Sequence, residues 1–247
     1  MTEPANATAS YNRPHYSREE YNHIQDMANL DFQPGLHVGD MAPDVVVSDL
    51  EGRPVRLSDF RGKKNVVFEF GSITAPIFIN DIVDLNRLHG KFRDNDIQFL
   101  IIYVREGHPA ENYPAHRSLE QKLSHARDLQ RLENVAFPVL VDSLEGTAHH
   151  LYGLRPSPVW VINKEGLVVH KSSWLVADEL EMVLDHLLRA EKWLAEGLRT
   201  RRVYAETWRE LWINRSVHQR VLERAGPSAR GEVVQAFGLD PVTQGQK

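Results

Sequence analysis

Hydrophobic positions along the chain alternate between short dense runs and helical spacing. Val66, Val67, Phe68, Glu69 and Phe70 form a β-rich run closed by Gly71, and after Pro76 the residues Phe78, Ile82, Leu85 and Leu88 recur at helical intervals. That pattern predicts a strand, a tight loop and a helix. Ile97 to Val104 predicts a buried central strand, and Leu119, Leu123, Ala126 and Leu129 a second helix. Val135 to Val141 and Val159 to Ile162 predict further strands, and Lys164-Glu165-Gly166 turns the chain into a hairpin partner from Leu167 to Lys171. Upstream, Val45, Val46 and Val47, the turn Asp49 to Gly52, then Val55 and Leu57 predict another hairpin, with Ser58 capping a short turn that ends at Gly62.

Alternating βαβ units followed by an antiparallel hairpin and a helix imply an α/β fold, a mixed central sheet with helices on both faces. Residues 1–37 read as a polar N-terminal arm, in which Ser17 to Leu30 is a helical candidate and Ser17 with Glu20 fits a capping box. Residues 38–190 form the α/β domain, and 191–247 a helical extension with a polar tail. Leu180, Val183, Leu184, Leu187 and Leu188 share one helical face in this part of the chain. Tyr204, Trp208, Leu211 and Trp212 form an aromatic stripe before the break at Gly226-Pro227. A stripe of this kind needs covering, and a two-fold homodimer is the expected cover.

Composition narrows the partners. Of 247 residues, 42% are hydrophobic and 26% charged, which is ordinary for a globular chain and argues against wholesale disorder. The formal charge of −5 gives no electrostatic footprint for nucleic acid or anionic lipid, so a small-molecule partner is expected. No basic-then-apolar leader opens the chain and no run is apolar for long enough to span a bilayer, so a cytoplasmic location without membrane contact is expected. The cysteine count is zero, which excludes disulfides, thiolate metal sites and thiol nucleophiles together.

Several ordered motifs carry a family resemblance. Met41-Ala42-Pro43-Asp44, the turn Leu50-Glu51-Gly52 and the segment Leu57-Ser58-Asp59-Phe60-Arg61-Gly62-Lys63 resemble the opening of the redoxin family. Phe70-Gly71-Ser72-Ile73-Thr74-Ala75-Pro76-Ile77-Phe78 is similar to the active-site loop of the iodothyronine deiodinases, where a Gly-Ser, a Thr, the catalytic selenocysteine or cysteine and a Pro occur in that order. Ile102 to Pro109 resembles that family's second signature, and His116-Arg117-Ser118-Leu119-Glu120 the start of its next helix. The resemblance covers roughly residues 38–190 and implies a thioredoxin-like fold. It also implies reductive dehalogenation or peroxide- or thiol-type reduction of a small molecule.

Two departures bear on that implication. Ala75 occupies the nucleophile's position, and a methyl group cannot attack iodine, sulfur or peroxide. Arg155-Pro156-Ser157-Pro158-Val159 looks like the thioredoxin segment whose proline is cis and faces the active-site loop, which places Pro158 at the site.

A loop that opens a helix offers backbone donors and the positive end of the helix to whatever sits at Ala75. Ser72, Thr74 and Pro76 would line it, with the Thr74 hydroxyl able to orient a substrate. The resemblance makes Glu106 and His108 active-site groups. Two positions apart after a central strand, they are expected to point the same way, and His116 can turn back to them. Glu106, His108 and His116 are thus candidates for acid–base work and a possible facial metal set, with no metal or other cofactor assigned. Arg105, Arg117 and Arg155 would form a carboxylate or phosphate clamp if they line the crevice but read first as surface arginines, and His15, His23, His149 and His150 read as surface residues. Three function classes follow: a deiodinase- or redoxin-like oxidoreductase whose nucleophile is replaced, a cysteine-independent enzyme using Glu106, His108 and His116, and a non-catalytic binding or assembly protein.

Overall fold

The computed structural model describes Thr8, Tyr11, Asn12, residues 35–154 and 156–203, residue 205, and residues 214–231. The Ser17–Leu30 helix and the stripe of Tyr204, Trp208, Leu211 and Trp212 lie outside the described residues.

Seven strands form one mixed sheet: β1 (Val46–Ser48), β2 (Pro54–Arg56), β3 (Asn65–Gly71), β4 (Ile97–Tyr103), β5 (Val139–Val141), β6 (Val159–Ile162) and β7 (Val168–Ser172), in the order β2-β1-β5-β4-β3-β6-β7. β3, β4 and β5 run parallel, and β6 and β7 add antiparallel strands on one side. The β1–β2 hairpin joins the other side through the single antiparallel pair Ser48–Val141. The helices are α1 (Pro76–Phe92), α2 (Leu119–Leu132), α3 (Thr147–Leu151), α4 (Ala177–Ala195) and α5 (Arg215–Ala225). This is a thioredoxin-like architecture.

Strand alternation divides the interior in two. Val67, Phe99, Ile101, Tyr103, Val159 and Val161 pack with Phe78, Ile82 and Leu85 of α1, Leu129 of α2, Leu184 of α4 and Val221 of α5. Phe68, Phe70, Leu100, Ile102 and Trp160 belong to a second cluster with Val45, Val47 and Ala148. One strand is shorter than its apolar run: Val135 to Pro138 reaches β5 as loop.

Candidate active site

The site forms where β3 ends and α1 begins. Ala75 is the residue before α1, with extended dihedrals (φ −99°, ψ 99°), and Pro76 fills the first helical position, where a missing N–H costs nothing. The turn closes with Ala75 N donating to Ser72 O (3.1 Å), while Ile79 N donates to Ala75 O (3.0 Å). Side chains then fasten this loop to the segment after β4. Ser72 Oγ accepts from Gly107 N (3.0 Å), Thr74 Oγ1 donates to Glu106 Oε2 (2.6 Å) and accepts from His108 N (3.2 Å), and Tyr103 Oη accepts from Ile73 N (3.2 Å). Gly107 suits this approach, since a Cβ there would stand 3.2 Å from the Ala75 Cβ and 3.3 Å from its Cα, tighter than an ordinary contact.

Glu106 is the centre of a buried polar cluster. Its Oε1 receives Tyr103 Oη (2.5 Å), and His116 Nε2 and His125 Nδ1 lie 3.0 and 2.9 Å away, with 3.2 Å between the two nitrogens. Burial works against a charge on Glu106, but its hydrogen bonds with His116 and His125 prevail and hold its carboxyl well below the usual range. Burial pushes His116 down despite its carboxylate partner, so the ring is neutral at pH 7. Burial and the neighbouring Glu106 charge push the Tyr103 hydroxyl well up, keeping it a proton donor. His116 Nδ1 is buried without a partner among the described residues.

Of the residues singled out from sequence, Ser72, Thr74, Ala75, Pro76, Glu106 and His116 come together here. His108 does not join the cluster. Strand pairing ends at Tyr103 and the chain bends over 105–108, so the alternation that would align Glu106 with His108 no longer holds. His108 instead lies beside His218 of α5, and burial, aided by His218, lowers its pKa to about 4. The group whose ligand atoms converge is Glu106, His116 and His125 rather than Glu106, His108 and His116.

Other expectations also need correcting. No cis peptide bond occurs among the described residues, and Pro158, in a trans bond, accepts from Phe70 N at 3.3 Å, one step beyond the β3–β6 ladder. His149 is buried, not superficial, because α3 tucks it against Asp142, which accepts its N–H (3.0 Å), and Tyr11 Oη meets its Nδ1 (2.9 Å). Of the arginines, Arg105 donates to Tyr11 O and Arg117 is exposed, while Arg155 lies outside the described residues.

A second buried polar pair lies beneath the loop. Glu69, in mid-β3, neighbours Asp81 of α1, and neither Glu69 oxygen has a hydrogen-bond partner within the usual distance among the described residues. Burial pushes both acids up, Asp81 to about 8, which favours their protonated forms at neutral pH. Helix α5 covers the outside. Val221 joins the core that contains Ala75, Arg220 forks onto Glu133 (2.7 and 3.1 Å), and Ser228 N donates to the Glu111 carboxylate. Ala75 is only 7% exposed, so the site is closed as it stands.

Comparison with known proteins gives this geometry its family. The family model described as Iodothyronine deiodinase matches residues 3–181. The chain belongs to the iodothyronine deiodinase family. The deiodinase match reaches into the N-terminal arm and stops within α4, so α5 lies beyond it. A thyroxine 5-deiodinase from Gallus gallus is 33% identical over 147 residues, covering 55% of this chain and 56% of that protein. A type I iodothyronine deiodinase from Xenopus laevis is 31% identical over 143 residues, covering 54% and 56%. The chain thus spans little more than half the length of these deiodinase relatives. Among solved structures, an uncharacterized conserved protein from Geobacillus kaustophilus matches with a TM-score of 0.52 at 17% identity, covering 63% of this chain and 84% of that one. The matched range contains the whole Ala75 loop and the Glu106 cluster. No helix among the described residues is long and apolar enough to cross a membrane.

Proposed function

We propose that this deiodinase-family chain is a cysteine-independent enzyme that moves a proton to or from a small molecule seated against the Ala75 loop. The relatives named thyroxine 5-deiodinases suggest the class of that molecule, a halogenated phenol. The observation that carries the reading is the unbroken run of hydrogen bonds from Thr74, beside Ala75, through Glu106 to Tyr103, His116 and His125. A proton accepted at Thr74 Oγ1 displaces the hydroxyl proton onto Glu106 Oε2, and the reverse shift along the same two oxygens returns it and restores both groups. Reduction through a chalcogen at position 75 has no route here, because Ala75 can neither accept the halogen nor be regenerated by a thiol.

The test is an optical titration of a diiodophenol with the chain and with Glu106→Gln, following the phenolate band. The unaltered chain should shift the phenol's apparent ionisation by about one pH unit or more, the scale of a single close charge or hydrogen bond. The variant should lose that shift. Absence of binding, or an equal shift in Glu106→Gln, overturns the reading.

A further inference from the structure

Three ligand atoms in the buried cluster form a nearly equilateral triangle. Glu106 Oε1 is 3.0 Å from His116 Nε2 and 2.9 Å from His125 Nδ1, and the two nitrogens are 3.2 Å apart. Protons satisfy at most two of these three edges. If both imidazoles donate to Oε1, two N–H groups face each other across the third edge. If one nitrogen is bare, its lone pair faces either the carboxylate or goes unused. Tyr103 Oη adds a third group at Oε1, 2.5 Å away, although one carboxylate oxygen offers about two lone-pair directions. The cluster is oversupplied with donors around one point.

A cation on the axis of the triangle removes the conflict, because all three atoms then present lone pairs to it. With bonds of about 2.1 Å, ligand atoms stand roughly 3.4 Å apart at a tetrahedral centre and roughly 3.0 Å apart on one face of an octahedron. Edges of 2.9, 3.0 and 3.2 Å are hydrogen-bond lengths, so the three atoms already stand close enough to share one ion with little rearrangement, as in a set of two histidines and one carboxylate.

The surroundings fit a metal site. Thr74 fixes the second carboxylate oxygen by its 2.6 Å bond, an outer contact that orients the ligand. Lys122, the buried cation on the same helix as His125, spends its Nζ on the Ser143 carbonyl at 2.8 Å.

We propose that Glu106, His116 and His125 bind one divalent first-row transition-metal ion. The inference deepens the proposed function and rests on it only for purpose: the ion would polarise an oxygen of the molecule or water at the same cluster.

The probe is Co(II) added to the full chain after chelator treatment, read by its visible absorption and by elemental analysis after desalting. About one ion per chain is expected, with His125→Asn and Glu106→Gln weakening binding by about 100-fold or more, and Thr74→Val by about 10-fold. His149→Gln removes a buried histidine outside the cluster and should bind as the parent does. Circular dichroism of each variant confirms that it is folded. No uptake by the parent, or equal uptake by folded His125→Asn, overturns the site. The diiodophenol titration repeated with chelator separates the two proposals: a phenol shift that persists without metal leaves proton transfer standing even where the metal site fails.

Discussion

Thr74 Oγ1 lies 2.6 Å from Glu106 Oε2, and both side chains are buried. The bond ties the loop that opens α1 to the segment after β4. The same hydroxyl accepts from His108 N at 3.2 Å, so it serves two groups that have left water. Thr74→Val keeps the shape and strands both partners, which should cost about 1–3 kcal/mol. Urea unfolding measures it. Thr74→Ser should recover most of the loss, and a Val variant with the parent's midpoint and slope contradicts the role.

The Glu69–Asp81 pair sets a pH dependence of opposite sign to that of a salt bridge. An unfolded chain gives up these protons near pH 4, whereas folding holds Asp81 protonated up to about pH 8. The folded state therefore binds more protons between those limits, and its stability falls as pH rises through them, by up to about 1.4 kcal/mol per pH unit for one retained proton. Histidines whose pKa values are lowered, His108 and His116 among them, pull the other way below about pH 7, and Lys122, lowered by burial to about 8, does so from about pH 8 upward. The carboxyl pair is therefore read between about pH 6.5 and 8 as the difference between the parent and Asp81→Asn. Asp81→Asn should flatten the decline there in urea or thermal unfolding, and an unchanged slope would show that the pair does not hold the proton.

Much of this fold was legible because its signals are local. The β3 run, the Pro76 boundary and the helical spacing of Phe78, Ile82, Leu85 and Leu88 each sit within one element. The site was legible only where a motif held its residues. His125 sits between Leu123 and Ala126 on the buried face of α2, and nothing within the helix announces that its nitrogen will meet Glu106, 19 residues earlier. His108 shows the converse error, an alternation carried past the strand that justified it. Glu69 was visible in principle, as a lone acid in the apolar run Val66 to Phe70, but its partner Asp81 belongs to another element.

Helix α5 ends at a glycine whose backbone conformation other residues adopt only with strain. Gly226 has φ +135°, and a Cβ there would stand 2.3 Å from Glu111 Oε2 and 3.0 Å from Glu111 N. Gly226→Ala should loosen the end of α5 by about 1–3 kcal/mol through strain and lost contact with the Glu111 segment. Hydrogen exchange reads this locally: α5 amides should exchange about tenfold faster or more while β3 and β4 amides keep their protection. Equal slowing or equal speeding of all of them would mean that α5 does not open as a separate unit.

Restoring a thiol to the loop tests the electrostatics that the site retains. A sulfur at position 75 would stand before the first turn of a 17-residue helix, where unsatisfied backbone N–H groups and the helix dipole favour an anion. Burial opposes that charge, and so does the ionised Glu106 behind Thr74. The helix end acts on the sulfur directly, whereas Glu106 already has its charge shared among Thr74, Tyr103, His116 and His125. The Ala75→Cys thiol should therefore titrate below the ordinary value of about 8.5, read from the rate of iodoacetamide alkylation against pH. Glu106→Gln in that background should lower it further by removing the opposing charge. A thiol titrating at about 8.5 or above in both variants would show that burial outweighs the helix end, and that the loop no longer supports the anion its relatives' nucleophile requires.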